Sequence, residues 1–218
     1  IMVEILCFFF DQVWREERVP EEWSKAVIVP LFKKGDKRDP FNYRGISLLS
    51  IVGKTFAQVL NMRIMEWVED GKKLSEEQGG FRAKRGCPDQ IFVLNELIEK
   101  TCKKGGNLFT CFIDLKKAYD RVSGVGLWKV LWEKGVRGKM WRVLQQMYRR
   151  VQSCVLVGEQ RTEWFEVDVG VRQGCVLSPV LFTLFIDGLA EEVIKVGEGV
   201  EVGDSIIQIL LFADDMVV

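Results

Sequence analysis

Two apolar runs of strand length each end in carboxylate, and they constrain the fold more than any other feature of the chain. Leu108-Phe109-Thr110-Cys111-Phe112-Ile113 leads into Asp114, and Ile209-Leu210-Leu211-Phe212 leads through Ala213 into Asp214-Asp215, 100 residues further on. An ionised aspartate buried among such residues is costly unless it has a partner, and a divalent cation is one. Three carboxylates on neighbouring strand ends would make an oxygen-rich site suited to Mg²⁺. Two such ions roughly 4 Å apart are able to activate a 3′-hydroxyl and stabilise a pyrophosphate leaving group. Taken singly, each motif has an ordinary explanation: an Asp-Asp pair serves as a hairpin turn and a lone Asp after a strand as a helix cap.

The remaining pattern mixes helices and strands without regular βαβ alternation, which predicts an α+β domain. Residues 1–18 read as a buried helix ended by Val19-Pro20, and Ala26–Phe32 as a β-branched strand followed by the basic turn 33–40. Residues 53–68 place Phe56, Val59, Leu60, Ile64 and Trp67 on one helical face, and residues 89–102 do so with Ile91, Leu94, Leu97 and Ile98, capped by Asp89. Helices are expected over 126–135 and 138–151, then a hairpin of 153–157 with 163–169. Ser178-Pro179 starts a helix with Leu181, Leu184, Phe185 and Leu189 towards a core, and a second hairpin pairs 200–202 with 206–212 around Gly203-Asp204. Ile1 to Phe10 reads as a helix whose beginning lies upstream, and the other end stops inside an apolar run, so the chain reads as a fragment.

The net charge is zero, but residues 1–150 hold 28 Lys/Arg against 19 Asp/Glu and residues 151–218 hold 3 against 12. A basic portion joined to an acidic one suits a protein that holds phosphates with one part and metal ions with the other. The chain has no histidine, which excludes His-based zinc sites, Ser-His-Asp triads and histidine bases. Six cysteines without a C-x-x-C pair read as free thiols of an intracellular protein. The apolar start carries Glu4 and lacks a basic front, so it is neither a signal peptide nor a membrane span.

Five segments and the Asp-Asp motif stand in an order that resembles the reverse transcriptase domain of LINE-type (non-LTR) retrotransposons, over nearly the whole chain. They are Trp23 to Asp36; Asn42-Tyr43-Arg44-Gly45-Ile46-Ser47-Leu48-Leu49-Ser50 with Gly53-Lys54; Glu77-Gln78-Gly79-Gly80-Phe81-Arg82 to Gln90; the Asp114 segment; and Arg172-Gln173-Gly174-Cys175 to Pro179, followed by Asp214-Asp215. The resemblance implies the fingers and palm of a right-hand polymerase, truncated before the thumb. Fingers would be mainly residues 1–105 and about 125–165, and palm mainly 106–124 and 166–218. It implies addition of deoxynucleotides to a DNA primer 3′-hydroxyl on an RNA template, with two Mg²⁺ ions for which Mn²⁺ can stand in, in the nucleus and/or cytoplasm. Neither the resemblance nor the residues name a protein partner.

Site roles follow from the same resemblance. Asp114, Asp214 and Asp215 match the catalytic, metal-binding carboxylates, and the Leu115 carbonyl adds a metal ligand. Tyr119 matches the aromatic gate under the incoming sugar, where a ring would collide with a 2′-hydroxyl. Arg44 matches a triphosphate-binding arginine, with Lys33 or Lys34 as the second cation. Gln173 and Gly174 match the motif beside nucleotide and template. Arg82, Lys84 and Arg85 stand as template-phosphate contacts, or else as ordinary surface charge. Some positions depart from the family pattern: Gly45 replaces Pro, Ala83-Lys84 replaces Pro-Gly, Tyr119 replaces Phe and Phe212 replaces Tyr. None removes a catalytic carboxylate. The thumb, an endonuclease and a zinc knuckle are absent from the stretch, so it is expected to extend primers poorly by itself. Alternatives are a group II intron maturase or retron enzyme, an inactive RNA-binding remnant, and a translated relic.

Overall fold

A computed structural model describes residues 1–203 and 205–218. In chain order the elements are α1 (Met2–Glu16), β1 (Lys25–Phe32), β2 (Tyr43–Leu48), α2 (Ile51–Asp70), α3 (Cys87–Lys103), β3 (Phe112–Asp114), α4 (Gly124–Lys134), α5 (Gly138–Met147) and β4 (Gln152–Val157). Then follow β5 (Gln160–Arg161), β6 (Phe165–Glu166), α6 (Ser178–Val196), β7 (Val200–Val202), β8 (Ser205–Ile207), β9 (Leu210–Phe212) and β10 (Asp215–Val217). The mixture is α+β, as the patterning predicts. The chain forms two compact units, residues 1–64 with 119–178, and residues 65–118 with 179–218.

In the first unit β1 pairs antiparallel with β2 and parallel with β4, and β4 also carries β5 and β6. The core beside this sheet is aromatic: Trp23 is buried and meets Phe9 edge-on at 5.8 Å and Phe56 at 5.3 Å. α2 presents Phe56, Leu60 and Ile64, spaced by four, as a buried stripe, as its periodicity predicts. Ser123 caps α4 by accepting from the Gly126 N–H.

In the second unit β3, β10 and β9 form an antiparallel sheet, and β7 pairs with β8. Ala190, Ile209, Leu211 and Met216 are buried together, with Leu115, Ile186 and Val193 packed against them. The buried carboxylate of Asp187 on α6 accepts from the N–H and hydroxyl of Ser75.

Several expectations are corrected. α1 is not a buried helix: Val3, Ile5 and Phe8 are exposed and Val13 is its one buried residue, while Phe9 and Phe10 pack against Trp23 and Trp14 lies under Arg63. The strand expected over 108–113 shrinks to Phe112–Asp114, with Phe109 88% exposed, so Asp114 ends a solvated run rather than a buried one. Asp89 is not the first cap of α3 but sits inside its first turn, accepting from the Gly86 N–H. Ile91, Ile98 and Leu189 are exposed. The hairpin around Gly203-Asp204 closes on β8 alone; β9 belongs to the other sheet, and Asp204 lies outside the described residues. Among the described residues no helix is long and apolar enough to cross a membrane, and all six cysteines are free thiols.

Candidate active site

The carboxylate pair of the second unit is set by strand register. Asp215 on β10 stands directly opposite Asp114 on β3, flanked by Met216 opposite Ile113 and Val217 opposite Phe112. Opposed residues of an antiparallel pair lie about 4.5–5.5 Å apart and project from the same face. β9 returns to β10 through the two-residue turn Ala213-Asp214, closed by Phe212 opposite Asp215, which puts Asp214 one step from the pair. Asp114 and Asp215 are exposed and Asp214 is half-buried. Burial therefore imposes no large desolvation cost here; the opposed Asp114 and Asp215 are instead a like-charge pair at one register position, which is destabilising and which a cation would relieve. Among the described residues no group of three or more carboxylate, thiol or imidazole side chains stands close enough to hold a metal ion. The donor set itself, carboxylate oxygens with the Leu115 carbonyl on the next residue of the chain, is chemically suited to a hard divalent ion. A cavity of about 370 Å³ borders the pair, with Phe112, Phe212 and Met216 in its apolar wall.

The first unit holds the residues expected around a nucleotide. Arg44, on β2, donates from Nε to Gln173 Oε1 at 2.9 Å, and Gln173 Nε2 donates to Asp120 Oδ1 at 2.8 Å. The Gln173 carbonyl accepts from the Ser47 N–H at 2.8 Å, so backbone and side chain both tie this loop to β2. Gly174 has φ +110°, and a Cβ there would lie 2.7 Å from the Ser47 carbonyl oxygen. Asp120 and Gln173 help line a cavity of about 620 Å³ that also reaches Gly45, Trp128, Tyr148 and Phe165. Tyr119 is half-buried, with its carbonyl accepting from the Val171 N–H. Lys33 and Lys34 are exposed in the loop joining β1 to β2, whose backbone is pinned by Asn42 Nδ2 donating to the Asp36 carbonyl.

The three expected template contacts separate. Arg82 is 8% exposed and donates twice to the Glu69 carboxylate and to the carbonyls of Ser75 and Gln78. It is a strut of the second unit. Its guanidinium holds the Glu69 carboxyl below the usual carboxylate range. Arg85 pairs with Glu76, and Lys84 is exposed. In the first unit Arg172 is likewise internal, donating to the carbonyls of Trp23 and Met147 and lying 5.0 Å over the Tyr148 ring. Sequence reasoning missed Asp120, the second acid of Asp114-Leu115-Lys116-Lys117-Ala118-Tyr119-Asp120. It gave Gln78 no role although Gln78 is fully buried, a rare state for its type and one that hydrophobic patterning does not reveal.

The profile of the family described as reverse transcriptase (RNA-dependent DNA polymerase) matches residues 32–218. The chain is 27% identical over 98% of its length to the Pol polyprotein of a type-1 retrotransposable element R2 from Nasonia vitripennis, covering 20% of that protein. It is 28% identical over 99% of its length to the RNA-directed DNA polymerase of the mobile element jockey from Drosophila melanogaster, covering 23% of it. The chain thus spans about a fifth of the length of these curated relatives. Telomerase from Candida tropicalis, solved in complex with a TWJ fragment of telomeric RNA, shares the fold, with a TM-score of 0.60, 12% identity, and coverage of 95% of this chain and 38% of that one.

Proposed function

The chain belongs to the reverse transcriptase (RNA-dependent DNA polymerase) family, and from that premise we propose that it is the RNA-directed DNA polymerase domain of a LINE-type (non-LTR) retrotransposon. The substrates are an RNA template, a DNA primer and deoxynucleoside triphosphates. The reaction is attack of the primer 3′-hydroxyl on the α-phosphate with release of pyrophosphate. The register that sets Asp114 opposite Asp215, with Asp214 in the adjoining turn, is the observation that carries this reading. The division into fingers (1–105 and about 125–165) and palm (106–124 and 166–218) remains part of the proposal, as does an intracellular site of action.

Asp114, Asp214, Asp215 and the Leu115 carbonyl would hold two Mg²⁺ ions. When bound, these favour ionisation of the primer hydroxyl and offset charge on the leaving pyrophosphate. Arg44, oriented by Gln173, would hold triphosphate oxygens through its remaining N–H groups, with Lys33 or Lys34 adding positive charge. Tyr119 would lie under the sugar and exclude a 2′-hydroxyl. Lys84 and Arg85 are the candidates for template phosphates. Catalysis of this kind is positioning and electrostatic stabilisation.

The test is primer extension on an RNA template by a polymerase containing this chain, with and without Asp114→Asn. Template-dependent incorporation of deoxynucleotides that the variant lacks is expected. A protein that shifts RNA but extends nothing under either condition would instead be an RNA-binding remnant.

A further inference from the structure

The segment before α3 is built against the turn that carries Asp214 and Asp215. Gln78 forms a parallel bridge with Leu211 of β9, the Gly79 N–H donates to the Leu211 carbonyl at 2.8 Å, and the Leu211 N–H donates to the Glu77 carbonyl at 3.1 Å. Residues 77–79 thus lie beside β9, joined to it by one bridge. From this position the Gln78 side chain reaches the turn itself. Its Oε1 accepts from the Ala213 N–H at 3.0 Å and from the Gly80 N–H at 2.8 Å. Gln78 is 0% exposed and Ala213 6%, so water does not compete for these bonds. Two N–H donors converging on one oxygen also fix which way the amide faces, since a flipped amide would oppose donor to donor. The cost of that orientation is visible: Nε2, buried, has no partner among the described residues.

The turn needs such support. Ala213 has φ +60°, a left-handed conformation that a Cβ disfavours. Gly80 is packed so closely that a Cβ on it would lie 2.2 Å from the Ala213 nitrogen. The Phe212–Ala213 peptide, which leads into the turn, is therefore held by one amide oxygen and crowded by a backbone that has no room for a side chain.

We propose that Gln78 is a positioning residue for the polymerase chemistry, acting through the Ala213 N–H to fix Asp214 and Asp215 opposite Asp114. This rests on the reading of those carboxylates as metal ligands. Gln78 touches neither substrate nor ion; it sets the geometry of the groups that do.

The probe is Mn²⁺ alone, bound by the protein and followed by electron paramagnetic resonance. The comparison runs across wild type, Asp114→Asn, Gln78→Met, Gln78→Glu, Ala213→Gly and Gln78→Met combined with Ala213→Gly. Expected are Mn²⁺ binding that Asp114→Asn removes, affinity about tenfold weaker in Gln78→Met measured below its melting transition, and recovery in Gln78→Glu, which keeps the acceptor. Adding Ala213→Gly to Gln78→Met restores part of the loss, because a glycine holds the left-handed turn without help. Wild-type binding lost in Asp114→Asn but unchanged in Gln78→Met overturns the positioning role alone. No Asp114-dependent binding in the wild type removes the metal reading and this proposal with it. Should Gln78→Met melt out, amide exchange in the wild type decides: an Ala213 N–H exchanging as fast as that of Asp214 overturns the clamp, and one exchanging about a hundredfold more slowly supports it.

Discussion

Asp114 on β3 and Asp215 on β10 occupy one register position of an antiparallel pair, so two like charges face each other across the sheet. Such pairs destabilise a sheet by roughly 0.2–1 kcal/mol. Asp215→Asn should therefore raise stability in urea by about that amount, with the gain shrinking as salt screens the repulsion. The same change should lower primer extension by at least about a hundredfold, as expected when a transition-state-stabilising group is lost. A variant that loses stability together with activity would show that the carboxylate supports the fold and is not held there for chemistry.

The Arg44–Gln173–Asp120 chain of hydrogen bonds links β2 to the segment after Asp114. Asp120→Ala removes the acceptor that orients the Gln173 amide. A hydrogen bond of this kind contributes about 0.5–1.5 kcal/mol, or roughly a two- to tenfold change. That change should fall on KM for the deoxynucleoside triphosphate and leave kcat within about twofold. The measurement is a double-mutant cycle of Asp120→Ala with Gln173→Ala in steady-state extension. Strictly additive effects on KM would show that Asp120 does not act through Gln173.

Glu69 and Arg82 make a paired, largely internal contact, with the Arg82 side chain 6% and the Glu69 side chain 39% exposed. Glu69→Gln keeps one acceptor and removes the charge beside a buried guanidinium. The expected loss is about 1 kcal/mol, at the low end for charged hydrogen bonds because solvent screens the exposed carboxylate. Arg82 depresses the Glu69 pKa from its ordinary 4.5, so this contribution is complete above that pH and is lost as pH falls through the lower folded-state value. Urea midpoints measured across acidic pH should converge for wild type and variant at the acid end; a constant gap would assign the loss to packing.

How much of this was legible in the sequence depended on whether a feature is local. The α2 stripe of Phe56, Leu60 and Ile64 follows from helical periodicity, and the carboxylates from their motifs. Pairing was not legible, because register is decided by distant partners. Leu210–Phe212 was expected in a hairpin with Val200–Val202, yet Gln78 and β10 claim it on either side. Arg82 is similar. A sequence shows its charge but not Glu69 thirteen residues earlier, whose carboxylate engages the expected template contact as an internal strut. Asp120 and Gln78 went without roles for the same reason, since each acts on a residue far along the chain.

Gly174 separates a steric requirement from mere turn geometry. Its φ of +110° strains any side chain, and a Cβ would also meet the Ser47 carbonyl oxygen at 2.7 Å. Gly158 has φ +62° with no described residue within 4 Å of where its Cβ would stand, so an alanine there meets backbone strain alone. Gly158→Ala should cost about 1 kcal/mol, the usual left-handed penalty. Gly174→Ala should cost roughly 2–3 kcal/mol, since φ strain adds to a clash with backbone that cannot turn aside. The clash pushes residues 173–174 away from β2, where the Ser47 N–H holds the Gln173 carbonyl and Arg44 holds its side chain. Gly174→Ala should therefore also raise KM for the incoming nucleotide, an effect Gly158→Ala lacks. Denaturant midpoints and extension kinetics on the two variants supply the comparison. Equal losses in stability with nucleotide KM unchanged in both would mean that the close approach of Gly174 to β2 is not maintained in solution.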